Sequence, residues 1–488
     1  MNIRTSVSWL LTAALALPAA AGHATPPQAA STTPSPVAQA ERSPALGQFL
    51  AWLNAFNAGD RAAYEAFIRK RSPSRAERLD GDMNMFSMTG GFDVRRIESV
   101  TATAVTCLVQ ERAWDQIAQA VMEVEPAPPH RIVRLGLNLA PRPAGLAVRR
   151  LSEAELASAV REKVEAQAAG GRFQGAVLVA RNGKVIYSEA KGLANRDAGT
   201  PNTLETRFRM GSMNKMFTAT AILQLVQAGR VKIDAPLGTY LTDYPNRDVA
   251  TKVTIHHLLT HTGGTGDIFG PEFNARRLEL KTLGDYVKLY GARSLEFEPG
   301  SKWQYSNYGF LLLGVIVERV SGQSYYDYVR DHIFRPAGMT GSGSEPEDVA
   351  VPGRAKGYMQ QKGAWVSNTD TLPYRGTSAG GGYTTVGDLL RFASALTGHA
   401  LLDAKHTNLM TTGKIDTPGG GKYAYGFGEE MEGGVRSFGH SGGAPGMNGD
   451  LRIFPDSGYV VAALANTGSG ASQVVSWVSE RLPAPRRP

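Results

Sequence analysis

Cysteine is almost absent from this sequence, since Cys107 is its one thiol among 488 residues. One thiol excludes an internal disulfide, so the chain must be held together by a hydrophobic core. Its length and its hydrophobic content of 42% are sufficient for a core shared by about two or three globular domains. Cys107 itself lies in the largely apolar run 104–109, which indicates a small buried side chain and not a nucleophile.

Long apolar runs and dense basic runs are missing as well. The apolar stretch 9–21 is too short to cross a bilayer. Together with Arg4 before it and the small residues Ala21 and Ala24 at its end, it predicts a secretory signal peptide over 1–24. We therefore expect a protein that is exported to the periplasm or secreted. We expect no membrane anchor, because no cysteine lies nearby to carry a lipid.

The positive charge of the chain is not concentrated in one motif. The formal net charge is +8, without a dense basic run or a basic-aromatic motif, which argues against a nucleic-acid partner. Such a charge either keeps the protein soluble or attracts it to anionic polymers of the cell envelope.

Composition divides the chain into two candidate domains. Residues 25–42 are rich in Pro, Thr, Ser and Ala, as is typical of a disordered linker. Residues 43–140 show two helical patterns and then strand-like runs over 92–100, 101–110, 116–124 and 131–139. This order, and mainly the segment 53–60, resembles the cone-shaped α+β fold of SnoaL-like and nuclear-transport-factor proteins. No acid–base pair stands out there, so we expect a structural or substrate-gating role.

The larger domain is expected over 150–484, after the proline-rich linker 140–145. A helix over 153–168 and a hairpin over 175–189 open it, and a helix over 472–481 closes it. The closing strands are predicted at 425–431, 435–440, 451–454 and 459–465. Strands from both ends can pair into one antiparallel sheet, with the helical middle packed against it. The sequence therefore predicts an α/β (α+β) fold.

A serine and a lysine open the helix around which this domain is organised. Apolar residues recur at helical spacing from Phe217 to Val226, and Gly229 fits the end of the helix. Positions i and i+3 share a helix face, so Ser212 and Lys215 point into one cleft. A serine hydroxyl becomes nucleophilic only when a neighbour takes its proton, and lysine can do so only when neutral. Lowering the lysine pKa from about 10.4 to about 7 requires roughly 4–5 kcal/mol, which burial and nearby positive charge can supply.

Ser188 and Lys191 have the same spacing but a different setting. They lie in a strand-like run that begins at Lys184. Residues three apart on a strand face opposite sides of the sheet, so this pair cannot cooperate. We expect Ser188 to be structural.

Two further segments carry groups suited to acyl transfer. Tyr305 and Asn307 are predicted in a loop before a helix over 311–320. A tyrosine beside a lysine can be held as phenolate and carry a proton to a leaving group. An asparagine can donate to a substrate carbonyl. His440 to Gly443 lie at the end of a strand, where a free N–H can form half of an oxyanion hole.

Three motifs, in this order and at these distances, resemble those of the superfamily of class C β-lactamases, serine DD-peptidases and related esterases: Ser212-x-x-Lys215, Tyr305-x-Asn307 and His440-Ser441-Gly442. The segments 258–264, 379–383 and 387–392 resemble the same family. The resemblance spans nearly all of 150–484.

The resemblance implies a role for each of these residues. Ser212 would be the acylated nucleophile, Lys215 the general base and Tyr305 its acid–base partner. The residues expected to bind the substrate are Asn307, His440, Ser441 and Gly442. The N–H groups of Ser212 and Gly443 would form the oxyanion hole. The resemblance implies neither a metal nor a cofactor.

The resemblance leaves an ester, a D-amino-acid peptide and a β-lactam open as substrates. It favours an esterase or peptidase over a class C-like β-lactamase, because His440 stands where the β-lactamases have lysine. A histidine with the reference pKa of about 6.5 is mostly neutral at pH 7 and holds a carboxylate less well. We expect esters to be hydrolysed better than β-lactams, and β-lactam turnover to improve as the pH falls toward 6. A penicillin- or wall-binding protein without turnover is the alternative of another class.

Two other site types fit short stretches of the sequence. Gly439 to Gly443 match Gly-x-Ser-x-Gly, but a nucleophile elbow needs a helix afterwards and a histidine after the serine, and neither follows. His257 and His261 could share a helix face, but Leu258 stands where a zinc motif has glutamate. We expect both histidines to be structural.

Overall fold

The computed structural model describes residues 43–432 and 434–483. The predicted signal peptide over 1–24 and the linker over 25–42 lie outside the described residues, as do residues 484–488. None of the described helices has the length and apolarity needed to cross a bilayer.

The N-terminal segment is three helices followed by an antiparallel sheet. Its elements are α1 (Pro44–Asn57), α2 (Arg61–Arg71), α3 (Leu79–Thr89), β1 (Phe92–Val100), β2 (Ala104–Glu111), β3 (Ile117–Val124) and β4 (Ile132–Leu139), with the strands paired in that order. Ser43 caps α1 by accepting from the Leu46 N–H, and Asp60 caps α2 by accepting from the Ala63 N–H.

The sequence-based expectation of only two helices in this segment was wrong. Helix α3 contains Asp80, Gly81 and Asp82, which are weak helix formers, so local propensity does not reveal it. Tertiary contacts stabilise it instead, because Arg75 holds the Asp82 carboxylate through two bonds of 2.8 Å. The relation of this segment to SnoaL-like proteins stays a prediction.

The larger part begins with α4 and contains the main sheet. Its helices are α4 (Glu153–Ala169), α5 (Asn214–Gln227), α6 (Arg247–Lys252), α7 (Ile255–Leu259), α8 (Pro271–Arg276), α9 (Leu283–Tyr290), α10 (Asn307–Ser321), α11 (Tyr325–Val329), α12 (Arg335–Ala337), α13 (Val386–Thr397), α14 (Ala404–Thr411) and α15 (Ala471–Ser479). Its strands are β5 (Gly175–Arg181), β6 (Lys184–Lys191), β7 (Leu193–Asn195), β8 (Thr200–Pro201), β9 (Phe208–Arg209), β10 (Tyr358–Gln361), β11 (Ala364–Ser367), β12 (Tyr383–Thr384), β13 (Ile415–Asp416), β14 (Lys422–Tyr423), β15 (Gly428–Glu432), β16 (Val435–Ala444), β17 (Met447–Phe454) and β18 (Tyr459–Ala465).

The main sheet joins the two ends of this part of the chain. Its eight strands lie in the order β13-β14-β15-β16-β17-β18-β5-β6. The last strand, β18, pairs antiparallel with the first, β5, from Ala465 opposite Gly175 to Tyr459 opposite Arg181. The predicted fold class, an antiparallel sheet with a helical insertion between its terminal strands, is confirmed.

Alternate residues of the central strands face two different hydrophobic layers. On β5, Ala176 and Leu178 pack in the same core as Phe217 of α5. Their neighbours Val177 and Val179 pack in a second core with α4 and α15. Successive side chains of a strand point to opposite faces, so the sheet separates α5 from α4 and α15.

The N-terminal segment is attached to the layer of α4 and α15. Trp114, in the turn between β2 and β3, is 1% exposed and packs in that second core. Arg142 of the linker donates to Asp115 and to Glu480, and Arg481 also bonds Asp115. Arg142 of the linker therefore forms ion pairs with both the N-terminal segment and the larger part of the chain.

Candidate active site

A tight turn places Ser212 at the start of α5. Gly211 has φ of 55°, a left-handed value that favours glycine, and residues 211–213 form one turn of 3-10 helix before α5 begins. The Lys215 side chain lies one turn further along, with Nζ 3.3 Å from Ser212 Oγ. The shared face predicted for these two residues is therefore observed.

Lys215 is enclosed by polar acceptors and aromatic rings. Its side chain is fully buried, and Nζ lies 2.7 Å from Asn307 Oδ1 and also donates to the Ala379 carbonyl. The ring of Tyr305 lies 4.6 Å from Nζ. Burial lowers the pKa of Lys215 to about 7, and the negative charge of Asp267 opposes that shift. A neutral lysine, which can take the serine proton, is thus accessible near neutral pH.

Asn307 is the first residue of α10 and does not lie in a loop as predicted. The helix starts earlier than its apolar pattern indicates, because Ser306 caps it by accepting from the Gly309 N–H at 2.9 Å. The Asn307 amide is bonded at both ends, with Oδ1 to Lys215 and Nδ2 to Asp267. Its visible contacts position Lys215, while its predicted role in binding substrate stays a prediction.

Tyr305 contacts the nucleophile from the loop before α10. The Ser212 side chain favours the phenolate form of Tyr305, but burial is the larger effect and raises the pKa of Tyr305 above its usual value. The charge of Asp267 acts in the same direction as burial. The environment thus favours the protonated phenol, while the predicted role of Tyr305 as acid–base partner stays a prediction.

His440 lies on β16, which continues through Gly443 to Ala444 instead of ending at His440 as predicted. Its Nδ1 lies 2.5 Å from the Ser441 carbonyl, so Nδ1 carries the proton and donates. Its Nε2 then accepts from the Tyr423 hydroxyl at 3.0 Å. Burial, and after it the charge of Lys215, lower the pKa of His440 to about 4. The expected improvement of β-lactam turnover toward pH 6 stays a prediction, but a pKa of about 4 argues against it, because His440 then gains little charge at pH 6.

The glycines of β16 let the strand approach the nucleophile turn. A Cβ built on Gly442 would lie 1.9 Å from the Met210 carbonyl oxygen and 3.0 Å from Ser212 N. A Cβ on Gly211 would lie 2.9 Å from Gly443 N. The backbone of β16 at Gly442 and Gly443 therefore packs directly against that of residues 210–212, and the oxyanion hole formed by the N–H groups of Ser212 and Gly443 stays a prediction. Ser441 is exposed, and its side chain lies on the opposite face of the strand from His440.

Several residues to which the sequence analysis gave no catalytic or binding role also line the site. His261 is 1% exposed, with φ of 60°, and its ring lies 4.3 Å from that of Tyr305 and 4.6 Å from that of Tyr423. Its Nδ1 accepts from the Ser306 N–H, and burial holds its pKa well below the usual value. Ala379 lies in one of the segments that resemble the family. Lys215 contacts only its backbone carbonyl, and the residue type does not reveal a backbone contact. Asp267 and Tyr423 lie in irregular or short elements with no periodic pattern.

The competing site types do not form. Ser188 lies on the edge strand β6 opposite Leu178, and Lys191 forms ion pairs with Glu165 and Glu189 instead. The strand that contains Ser441 turns directly into the antiparallel strand β17, so no helix follows a nucleophile elbow. His257 Nδ1 accepts from the Thr254 N–H and helps to cap α7. Within residues 43–432 and 434–483, no group of three His, Cys, Asp or Glu side chains is arranged to hold a metal ion.

Comparisons with known proteins agree with this geometry. The sequence model of the Beta-lactamase family matches residues 156–482. A protein named as a penicillin-binding protein, PbpX of Bacillus subtilis (strain 168), is 32% identical over 295 residues, which are 60% of this chain and 70% of that protein. Esterase EstB of Burkholderia gladioli is 37% identical over 198 residues, which are 37% of this chain and 50% of that protein. The solved structure of a D-stereospecific amidohydrolase from Streptomyces aligns with a TM-score of 0.55 at 28% identity, covering 66% of this chain and 97% of that one.

Proposed function

This chain belongs to the Beta-lactamase family of serine hydrolases, and from that premise we propose that it hydrolyses esters or D-amino-acid amides and peptides through an acyl-enzyme on Ser212. The observation that carries the proposal is the contact of 3.3 Å between Ser212 Oγ and the buried amine of Lys215. That amine, with a pKa of about 7, is neutral in a large fraction of molecules at neutral pH.

Acylation follows from these contacts. Neutral Lys215 takes the hydroxyl proton as Ser212 Oγ attacks the substrate carbonyl carbon. The N–H groups of Ser212 and Gly443 stabilise the negative charge that develops on the carbonyl oxygen. The Tyr305 phenol donates its proton to the leaving alcohol or amine and recovers one from Lys215. Water then hydrolyses the ester to Ser212 by the reverse set of proton transfers.

The substrate preference follows from the charge of the site. His440, with a pKa of about 4, is neutral at pH 7, and its Nε2 is occupied by the Tyr423 hydroxyl. A β-lactam carboxylate would therefore find a neutral imidazole where the β-lactamases have a lysine charge. A neutral hydrogen bond contributes about 1 kcal/mol, against roughly 1.5–3 for a charge-assisted one. We rank uncharged esters and amides above β-lactams for this reason, in line with the esterase and amidohydrolase relatives.

The remaining parts of the chain complete the proposal. We propose that residues 1–24 direct export and that residues 43–140 are a SnoaL-like domain with a structural role. Export would give the site access to cell-wall peptides with D-amino acids, as well as to small esters.

The test is covalent labelling with a fluorophosphonate, together with turnover of p-nitrophenyl butyrate, a D-Ala-D-Ala peptide and nitrocefin. Ser212→Ala should abolish labelling and lower turnover by several orders of magnitude, since the nucleophile and its base act as a unit. Ser188→Ala, on the edge strand, should label and turn over like the wild type. An adduct located by mass spectrometry on a residue other than Ser212 would refute the assignment, and labelling without turnover of any substrate would indicate a binding protein.

A further inference from the structure

Asp267 is a charged neighbour of the Ser212–Lys215 pair that the sequence motifs do not include. It lies in the loop between α7 and α8. Its Oδ1 accepts from the backbone N–H of Asn307 at 3.0 Å and from that of Ile268 at 2.8 Å. Its Oδ2 accepts from Asn307 Nδ2 at 3.2 Å. The carboxylate is thus bound to both the backbone and the side chain of Asn307.

These contacts determine which way the Asn307 amide points. A carboxylate can only accept hydrogen bonds, so Nδ2 must face Asp267 and Oδ1 must face Lys215. An ammonium group can only donate, and the distance of 2.7 Å between Nζ and Oδ1 suits it well. The orientation of Asn307 therefore favours the charged form of Lys215.

The other titratable groups around Lys215 do not supply a negative charge. Burial and the charge of Lys215 keep the pKa values of His261 and His440 low, so both imidazoles are neutral at pH 7. Burial raises the pKa of Tyr305, so its phenol is protonated. Burial favours the neutral form of Lys215, and Asp267 is the group that opposes it.

We propose that Asp267 is a positioning residue that orients the Asn307 amide and retains positive charge on Lys215, and so fixes the pH below which the enzyme no longer acylates. This inference rests on the proposed roles of Ser212 as nucleophile and Lys215 as base. The balance matters for catalysis, because a lysine whose pKa fell far below the working pH would be too weak a base.

The test is the rate of fluorophosphonate labelling of the full chain, measured from about pH 5 to pH 9. In the wild type, the labelling rate should fall as the pH drops through about 7, where Lys215 becomes protonated. This decrease is the acid limb of the pH profile. Asp267→Asn removes the negative charge. It also places an amide NH₂ opposite Asn307 Nδ2, which no longer holds Asn307 Oδ1 toward Lys215. Both changes disfavour protonated Lys215. We expect its acid limb to move down by about one pH unit, with a lower plateau rate. Asp267→Glu keeps the charge and should keep the limb near its wild-type position, even if labelling is slower.

Controls separate this inference from the proposed function and from instability. Asp285→Asn, in the cap of α9, should lower stability without moving the acid limb. If Asp267→Asn does not fold, Asp267→Ser removes the same charge and should show the same shift. An unchanged limb in a folded, charge-free variant would overturn the role of Asp267. Absence of labelling in the wild type at every pH would instead contradict the proposed function.

Discussion

The two candidate bases, Lys215 and Tyr305, differ in their environments. Both lie against Ser212, but burial acts on them in opposite directions, because it disfavours the charged form of each. For Lys215 the neutral form is the base, and burial lowers its pKa to about 7. For Tyr305 the charged form is the base, and burial raises its pKa. Both shifts support the proposed roles, with Lys215 as the base and Tyr305 as the proton donor.

His440 gives a prediction about substrate charge. We expect kcat/KM for p-nitrophenyl butyrate to exceed that for nitrocefin at pH 8. His440→Lys should narrow this gap, because the new ammonium can bind the β-lactam carboxylate. Between pH 8 and pH 6 both wild-type rates should fall, since Lys215 is protonated near pH 7 while His440, with a pKa of about 4, stays neutral.

The control for added charge is His406→Lys, in α14, which should leave the ratio of the two rates unchanged. A wild-type nitrocefin rate that rises from pH 8 to pH 6 would contradict the neutral His440. Nitrocefin as the better wild-type substrate at pH 8 would show that the enzyme is a β-lactamase.

At the scale of single residues, the sequence predicted the chemical groups better than their states. Ser212, Lys215 and Tyr305 are brought together as their motifs indicated. The pKa shifts of Tyr305 and His440 could not be predicted, because they depend on burial and, for His440, also on the charge of Lys215, which no local pattern reveals. Asp267 was missed for a similar reason, since its contact with Asn307 joins residues 40 positions apart.

At the scale of elements, the strand–turn contact between β16 and residues 210–212 gives a second prediction. Gly442→Ala places a methyl group 1.9 Å from the Met210 carbonyl oxygen, a backbone atom that cannot move without shifting Ser212. We expect fluorophosphonate labelling to fall by at least about tenfold and Tm to fall by several degrees, as for other overpacked sites.

Two other glycines, Gly443 in the same strand and Gly468 outside it, provide controls for that variant. A Cβ on Gly443 meets nothing closer than 3.9 Å, so Gly443→Ala should keep the wild-type Tm. A Cβ on Gly468 meets no atom within 4 Å, so Gly468→Ala should keep both Tm and labelling. If Gly442→Ala labels at the wild-type rate, the close approach of β16 to the nucleophile turn is not needed for acylation.

Elements marked by apolar runs and turn residues were predicted well, and those defined by caps or tertiary contacts were not. The hairpin β5–β6 and the closing strand β18 appear where short apolar runs and, for the hairpin, turn residues indicated them. The start of α10 at Asn307 was missed because it depends on the Ser306 cap and not on apolar spacing. The superfamily resemblance, which rested on motif order over the whole domain, is confirmed by the family match.

At the scale of the whole molecule, the main sheet separates the N-terminal segment from the nucleophile helix. Trp114 packs in the core shared with α4 and α15, whereas Ser212 lies at the start of α5 in the other layer. The Lys163 ammonium lies 5.8 Å from the Trp114 ring and 5.6 Å from that of Trp477, which adds cation–π contacts to this junction. This position favours a structural role for the segment over a substrate-gating one.

Glu111, at the end of β2, makes the stability of this junction depend on pH. It is 7% exposed, and its carboxyl accepts from the Trp114 N–H at 3.1 Å. Burial raises the pKa of Glu111 to about 8, and the nearby Asp115 acts in the same direction. Between the unfolded value of about 4.3 and the folded one, the folded chain binds one proton more than the unfolded chain. The free energy of unfolding should therefore decrease as the pH rises from about 4 to 8.

Glu111→Gln tests this dependence, because glutamine keeps the acceptor for Trp114 and cannot ionise. We expect wild type and variant to have similar Tm values near pH 4, and the variant to unfold at a higher temperature near pH 8, by calorimetry. Glu123→Gln, on the exposed face of the same sheet in a surface ion pair with Arg134, should leave the pH dependence of Tm unchanged. Parallel Tm curves for wild type and Glu111→Gln would show that Glu111 is ionised in the folded protein. The junction around Trp114 would then contain a buried charge, and Lys163, the cation that lowers the pKa of Glu111, would be the next residue to mutate.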